Sequence, residues 1–90
     1  MNTILRKITN ECWKTDLDYV YLKVGNYSIK RNGEKIVHYY FGNPICIVYF
    51  WKKEFELNSC GYGHYRLTTA QLNFLEQYYK NKGFKLTERI

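Results

Sequence analysis

From residue 18 the chain alternates apolar and polar residues with a period of two, and the segments 18–24, 27–31 and 35–41, separated by turn residues, predict three successive β-strands. In the first of them, Val20 and Leu22 fall on one face, and Tyr19 and Tyr21 fall on the other. Such alternation is typical of a strand that buries one face and exposes the other.

Turn residues separate these strands and mark two more. Asn32–Gly33 predicts a type I′ hairpin turn, because both central positions of that turn need a positive φ. After residues 42–44 break the third strand, an unbroken apolar run predicts a fourth strand over residues 45–52, and residues 55–58 predict a short fifth. The unbroken run indicates burial on both faces, and hence either a central strand or a strand covered by a helix.

Near the C-terminus the apolar spacing becomes helical and predicts an amphipathic helix over residues 69–82. Thr68 and Gln71 have the spacing of a capping box at its start. Gly83 stands where a left-handed residue commonly ends a helix. For residues 84–87 we expect either a short edge strand or a surface tail.

At the N-terminus, Ile4, Leu5 and Ile8 recur at helical spacing, so residues 3–12 predict a short helix, with an irregular arm as the alternative. Ninety residues fit a single domain. We therefore expect one α+β domain over residues 1–90. It consists of an antiparallel sheet of four to five strands with the C-terminal helix packed on one face.

The composition adds charge and aromatic character to this picture. Fourteen lysines and arginines face eight acidic residues, for a formal net charge of +6. This balance favours an anionic partner and disfavours an acidic mimic of DNA, although solubility alone accounts for a net charge of about 2–8 in a small domain. The ten tyrosines exceed what a core of this size needs, which favours an interface. The alternative is the codon bias of an AT-rich genome.

The number of cysteines and the hydropathy of the chain predict its cellular location and the redox state of its thiols. Three cysteines cannot all pair within one chain, and the first residues do not show the pattern of a secretory signal. The longest apolar run, residues 44–51, is shorter than the ~20 residues that a membrane span needs. We expect free thiols, a cytoplasmic location and no membrane partner.

Cys60 and His64 flank a glycine-rich segment and raise two chemical hypotheses. A Cys–His pair acts as a nucleophile when a third group orients the histidine, and no sequence feature supplies that group. A zinc site needs four ligands, and the cysteines lack the paired C-x₂-C spacing. Known catalytic motifs are also missing from the sequence, so we expect a non-catalytic protein without cofactor or metal.

The segment before the C-terminal helix combines Tyr62, His64, Tyr65 and Arg66. Such side chains stack on bases and hold phosphates, and the adjacent helix N-terminus favours anions. The alternative is that the tyrosines only cover the end of the sheet. The predicted binding residues are completed by four side chains on the first two strands: Tyr19, Tyr21, Lys30 and Arg31.

Residues 56–62, 67–69 and 71–73 follow a pattern of strand, Gly-aromatic turn and Thr-Thr-capped helix. This pattern resembles a family of small, largely uncharacterised bacteriophage proteins, and the strands within residues 33–50 are similar as well. That family usually has a basic pair at the helix start, where this chain has Ala70–Gln71. The resemblance implies a phage origin and, for a small protein without catalytic motifs, an action on host machinery such as CRISPR or nucleotide-signalling defences.

Three functions follow from these features. The leading hypothesis is a phage-type accessory protein that binds a host protein or ribonucleoprotein complex in the host cytoplasm and inhibits it, in the manner of an anti-CRISPR. One alternative is a nucleic-acid-binding module that uses a basic, tyrosine-rich surface. The other is a sponge for an anionic nucleotide signal, which would require a homo-oligomer because one small domain leaves little room for an enclosed pocket.

Overall fold

A computed structural model describes residues 2–14, 19–61 and 66–90, and the side chains of residues 2 and 66 lie outside that description. The elements are two helices and six strands in the following order: α1 (Asn2–Lys14), β1 (Val20–Val24), β2 (Tyr27–Arg31), β3 (Lys35–Tyr40), β4 (Asn43–Tyr49), β5 (Glu54–Leu57), α2 (Arg66–Asn81) and β6 (Lys85–Arg89). The predicted α+β class and both helices are confirmed.

One sheet contains all six strands in chain order. The first four pairings are antiparallel, and β6 pairs with β5 in parallel after α2 has crossed between them. The expected four to five strands thus become six, because the segment after α2 forms an edge strand. Phe84, buried just before β6, anchors that segment to the core.

The core lies between one face of the sheet and the two helices. Tyr79 of α2 contacts Phe55 of β5 and His38 of β3, with ring centroids 5.6 Å apart in both pairs. On α1 the buried stripe begins at Leu5, whereas Ile4 is 49% exposed, although its spacing had placed it on the same face. The sheet face opposite the helices, called the open face below, carries the alternate residues of every strand.

The fourth strand is shorter than predicted. β4 ends at Tyr49, and residues 50–53 form a turn in which the Lys53 amide donates to the Phe50 carbonyl at 3.3 Å. Lys53 has a φ of 55° in this turn, and Trp51 is 73% exposed. The prediction from hydrophobicity alone is therefore three residues too long at this end, because a tight turn can also expose large apolar side chains to solvent. The interior position of β4 in the sheet is confirmed, but burial on both faces is not, because Ile47 and Tyr49 on the open face are only half-buried.

The start of α2 differs from the predicted capping box. The helix begins at Arg66, so Thr68 and Gln71 both lie inside it and are buried. Neither the Thr68 hydroxyl nor the Gln71 amide has a hydrogen-bond partner among the described residues. The capping-box prediction is therefore wrong, because tertiary packing turns these two side chains into the core.

The turn between β2 and β3 is also not the predicted type I′ turn. Positive φ angles occur at four other glycines of the described chain, whereas Asn32 and Gly33 do not adopt them. Instead, the Asn32 side-chain oxygen accepts hydrogen bonds from the amides of Glu34 and Lys35 at 3.1 and 3.2 Å. An Asx-type turn of this kind satisfies the backbone without left-handed residues.

Candidate functional site

The open face carries the surplus tyrosines together with lysines. Strand register places Tyr21 beside Lys30, and Ser28 beside Tyr39, across β1, β2 and β3. Further along the same face, Lys35 pairs with Tyr49. Both described helices pack against the other side of the sheet, so these side chains remain available for a partner.

Lys30 lies between two tyrosine rings. Its Nζ is 5.8 Å from the ring centroid of Tyr21 and 5.8 Å from that of Tyr39. Tyr21 is 50% exposed, and a shallow cavity of about 170 Å³ lies among Tyr21, Ser28, Lys30, Tyr39 and Gly42. We call Tyr21, Lys30 and Tyr39 the Lys30 cluster. It offers two aromatic faces for stacking and one ammonium group for an anion at the same point.

Charge divides the open face into two halves. Lys23, Lys30 and Lys35 lie on β1, β2 and β3, whereas Glu54 and Glu56 lie on the same face of β5. Glu88 of β6 pairs with Glu56 and extends the acidic side, while Lys85 lies opposite Glu54. An anionic chain is therefore attracted to the half formed by β1 to β3 and repelled by β5.

Three of the four binding residues predicted on the first strands lie on or beside this surface. Tyr21 and Lys30 belong to the Lys30 cluster, and Tyr19, just before β1, is 67% exposed. Arg31 points to the opposite face, where its Nη1 donates to the Cys12 carbonyl at 3.0 Å and its guanidinium lies 5.4 Å from the Phe50 ring centroid. The structure therefore gives Arg31 a role in joining α1 to the sheet.

The other predicted binding residues cannot be placed in the same way. Tyr62, His64 and Tyr65 lie outside the described residues. Arg66 is the first residue of α2, but its side chain lies outside the description too. The hypothesis that this segment binds an anion remains a prediction.

Sequence reasoning did not select Tyr39 as a binding residue. Its neighbour Tyr40 follows it on β3, and alternation along a strand sends the two rings to opposite faces. Tyr40 packs against the core, while Tyr39 completes the Lys30 cluster. Alternation alone shows that one of the two rings faces away from the core. Only the pairing of β3 with β2 shows that this ring is Tyr39 and that it lies beside Lys30.

The thiols differ from activated nucleophiles. Cys60 donates from Sγ to the Pro44 carbonyl at 2.9 Å, and burial raises the pKa of its thiol. Burial also raises the pKa of Cys46 and of Cys12. A nucleophilic cysteine needs the opposite change. Within residues 2–14, 19–61 and 66–90, no three His, Cys, Asp or Glu side chains come together as a group that could hold a metal ion.

His38 is the one fully buried histidine in the described part of the chain, and it lies inside the core. Its Nδ1 is 2.7 Å from the Tyr27 hydroxyl and its Nε2 is 2.6 Å from the Tyr79 hydroxyl. Burial lowers the pKa of His38 to about 3. The neutral ring therefore stabilises the core, and it lies on the face opposite the Lys30 cluster.

Neither of the two described helices is long and apolar enough to cross a bilayer. Comparison of the chain with protein-family models, with curated proteins and with solved structures found no match. The resemblance to small phage proteins accordingly remains a hypothesis, and the functional argument depends on the geometry of the open face.

Proposed function

We propose that this chain is a non-catalytic protein that binds single-stranded nucleic acid on the open face of its sheet. The observation that carries the proposal is the Lys30 ammonium group between the rings of Tyr21 and Tyr39, on the face opposite both described helices. Bases stack on the two rings, and the ammonium group attracts the phosphate backbone. The formal net charge of +6 acts in the same direction.

A single strand fits this surface better than a duplex. Stacking on a tyrosine ring requires an unpaired base, which a continuous duplex does not offer. Reading a duplex through its major groove requires a protruding helix or ribbon, and both described helices lie on the side of the sheet away from the Lys30 cluster. We therefore expect weak dependence on base sequence and a clear preference for unpaired strands.

Fluorescence anisotropy tests the proposal with labelled DNA and RNA strands of about 12 nucleotides, a matched duplex and a mononucleotide, at low salt. We expect the single strands to bind more tightly than the duplex. Tyr21→Ala should weaken binding by about 1–3 kcal/mol, the range for loss of one stacked base. Lys30→Gln should weaken it as well, through the loss of an attractive charge.

Lys82→Gln is the matched control for Lys30→Gln. Lys82 is also an exposed lysine over two aromatic rings, at 4.7 Å from Trp13 and 5.2 Å from Tyr78, but it lies on the helix side of the molecule. Equal losses for Lys30→Gln and Lys82→Gln would show that only net charge matters. Failure of every single strand to bind at low salt would exclude the proposal. Mononucleotide binding as tight as strand binding would favour the nucleotide sponge instead.

A further inference from the structure

Trp51 is the most exposed of the large apolar side chains in the described part of the chain. The turn over residues 50–53 holds its backbone, closed by the hydrogen bond from the Lys53 amide to the Phe50 carbonyl. The other tryptophan, Trp13, packs against Phe50 and Phe84 with ring centroids 5.3 and 5.7 Å away. Burial therefore explains Trp13, whereas Trp51 presents its ring to the solvent.

Lys52 repeats the arrangement of the Lys30 cluster beside this ring. Its Nζ lies 4.9 Å from the Trp51 ring centroid and 5.2 Å from that of Tyr49. Tyr49 is on the open face, because it pairs with Lys35 on one side and with Glu54 on the other. We call Tyr49, Trp51 and Lys52 the Trp51 cluster. The open face thus carries two groups that each combine a lysine with two aromatic rings.

Register gives the separation of the two clusters. Lys30 pairs with Val37, which pairs with Ile47, so two interstrand steps lead from β2 to β4. Tyr49 lies two residues beyond Ile47 on the same face. Interstrand spacing and strand rise together place Lys30 and Tyr49 about 12 Å apart. At the rise of a stacked strand, about 3.4 Å per nucleotide, this distance corresponds to roughly four nucleotides.

We infer that the Trp51 cluster is a second stacking subsite, and that one single strand crosses the open face from the Lys30 cluster to the Trp51 cluster. This inference rests on the proposed function. On β5, Glu54 pairs with Tyr49 and Glu56 pairs with Ile47. These two carboxylates repel phosphates, so they keep the nucleic acid over β1 to β4. The Tyr49 hydroxyl donates to Glu56 Oε1 at 3.4 Å, which orients the ring at this border.

The experiment combines a length series of oligothymidylates, from two to about twelve nucleotides, with two readouts. In Trp13→Phe, Trp51 is the single tryptophan of the chain, so a stacked base quenches its fluorescence directly. We expect strands of about four nucleotides or more to quench at lower concentration than the dinucleotide, because only they reach both clusters. In the otherwise wild-type chain, Trp51→Ala should weaken binding of the longest strand roughly 10-fold and leave dinucleotide affinity nearly unchanged.

Lys52→Gln should lower affinity for long strands, and Lys82→Gln is again its matched control. The inference is overturned if long strands bind in a Lys30-dependent way while Trp51 fluorescence does not change and Trp51→Ala binds like wild type. The proposed function would survive that result. Failure of every strand to bind would contradict both the proposed function and this inference. If Trp13→Phe fails to fold, the affinity of Trp51→Ala still tests the inference.

Discussion

At the scale of single residues, the buried His38 network is the most informative feature of the core. A neutral imidazole has one donor and one acceptor nitrogen, so one of the two tyrosine hydroxyls donates to His38 and the other accepts from it. The Tyr79 hydroxyl also accepts from Trp13 Nε1 at 3.3 Å. The network joins α1, α2, β2 and β3, and protonation of His38 would add a charge that burial disfavours.

This network predicts a dependence of stability on pH. Burial lowers the pKa of His38 from 6.5 to about 3, so between these values the unfolded chain binds a proton that the folded chain does not. The free energy of unfolding therefore has its full value above pH 6.5 and falls as the pH drops toward 3. We expect a slope of up to ~1.4 kcal/mol per pH unit, measured by urea denaturation at constant ionic strength.

His38→Gln should remove this slope between about pH 5 and 6.5, where carboxylates titrate little. His64→Gln is the matched control, because the chain has two histidines. A slope that persists in His38→Gln, or disappears in His64→Gln, contradicts the assignment to His38.

A second residue-scale prediction concerns Thr68. Its hydroxyl is buried in α2 and has no hydrogen-bond partner among the described residues. Thr68→Val keeps the shape and removes the unpartnered group, so we expect the free energy of unfolding to rise by about 1 kcal/mol. A helix capped by Thr68 would instead lose about 0.5–2 kcal/mol. Chemical denaturation of Thr68→Val therefore distinguishes a buried Thr68 from a capping Thr68, because the free energy of unfolding rises in the first case and falls in the second.

At the scale of elements, the two ends of α2 are determined in different ways. The Gly83 amide donates to the Lys80 carbonyl and the Phe84 amide to the Tyr79 carbonyl, both at 3.0 Å. These two bonds form the predicted Schellman motif, and Gly83 has the required left-handed φ of 91°. The C-terminal end is thus a local property of the sequence, whereas the N-terminal end depends on packing.

Gly83→Ala should lower the free energy of unfolding by about 1 kcal/mol, because a Cβ disfavours the left-handed conformation. Gly33→Ala is the matched control: neither glycine has an atom within 4 Å of an added Cβ, and Gly33 does not have a left-handed φ. We expect Gly33→Ala to leave stability unchanged or to raise it by up to about 1 kcal/mol. Equal destabilisation of both variants would favour the type I′ turn after all.

At the scale of the whole molecule, the separation of faces organises both stability and the proposed binding. The helices and the neutral core occupy one side of the sheet, and the lysines and tyrosines of the two clusters occupy the other. The edge ion pairs, such as Arg89 Nη1 to Glu76 Oε1 at 2.6 Å, lie on the helix side. Mutations of the open face should therefore change binding with little effect on folding.

Salt dependence is the whole-molecule test of how the open face binds a strand. Each phosphate that a lysine neutralises contributes about −0.7 to the slope of log affinity against log salt for single strands. We expect Lys30→Gln to reduce the magnitude of the slope by about 0.7 and Lys82→Gln to leave it unchanged. Unequal affinities with identical slopes would mean that Lys30 supports the tyrosine rings without contacting phosphate.

The hypothesis of host-factor inhibition also belongs to this scale and stays a prediction. If the open face is the surface that a host ribonucleoprotein meets, wild-type protein should relieve host defence in an interference assay, and the double variant Tyr21→Ala, Lys30→Gln should not. A double variant as active as wild type would place any inhibitory surface elsewhere.

Local patterns in the sequence determined most of the secondary structure. The period of two defined the first two strands and placed Tyr21 on the side that proved to be open, because alternation is a property of extended backbone. The turn residues on either side defined the third strand. The Schellman ending was predictable for the same reason, since all its hydrogen bonds lie within six residues. The α+β class followed from the order of these elements.

Tertiary structure decided what depends on contacts between distant segments. Nothing local indicates that β6 pairs in parallel with β5, that α2 begins before Thr68, or that Tyr39 comes beside Lys30. Alternation along β2 sends Lys30 and Arg31 to opposite faces, and only the packing of the helices decides that Lys30 lies on the open one. Burial and cross-strand register are properties of the assembled sheet, because each depends on which segment packs against which.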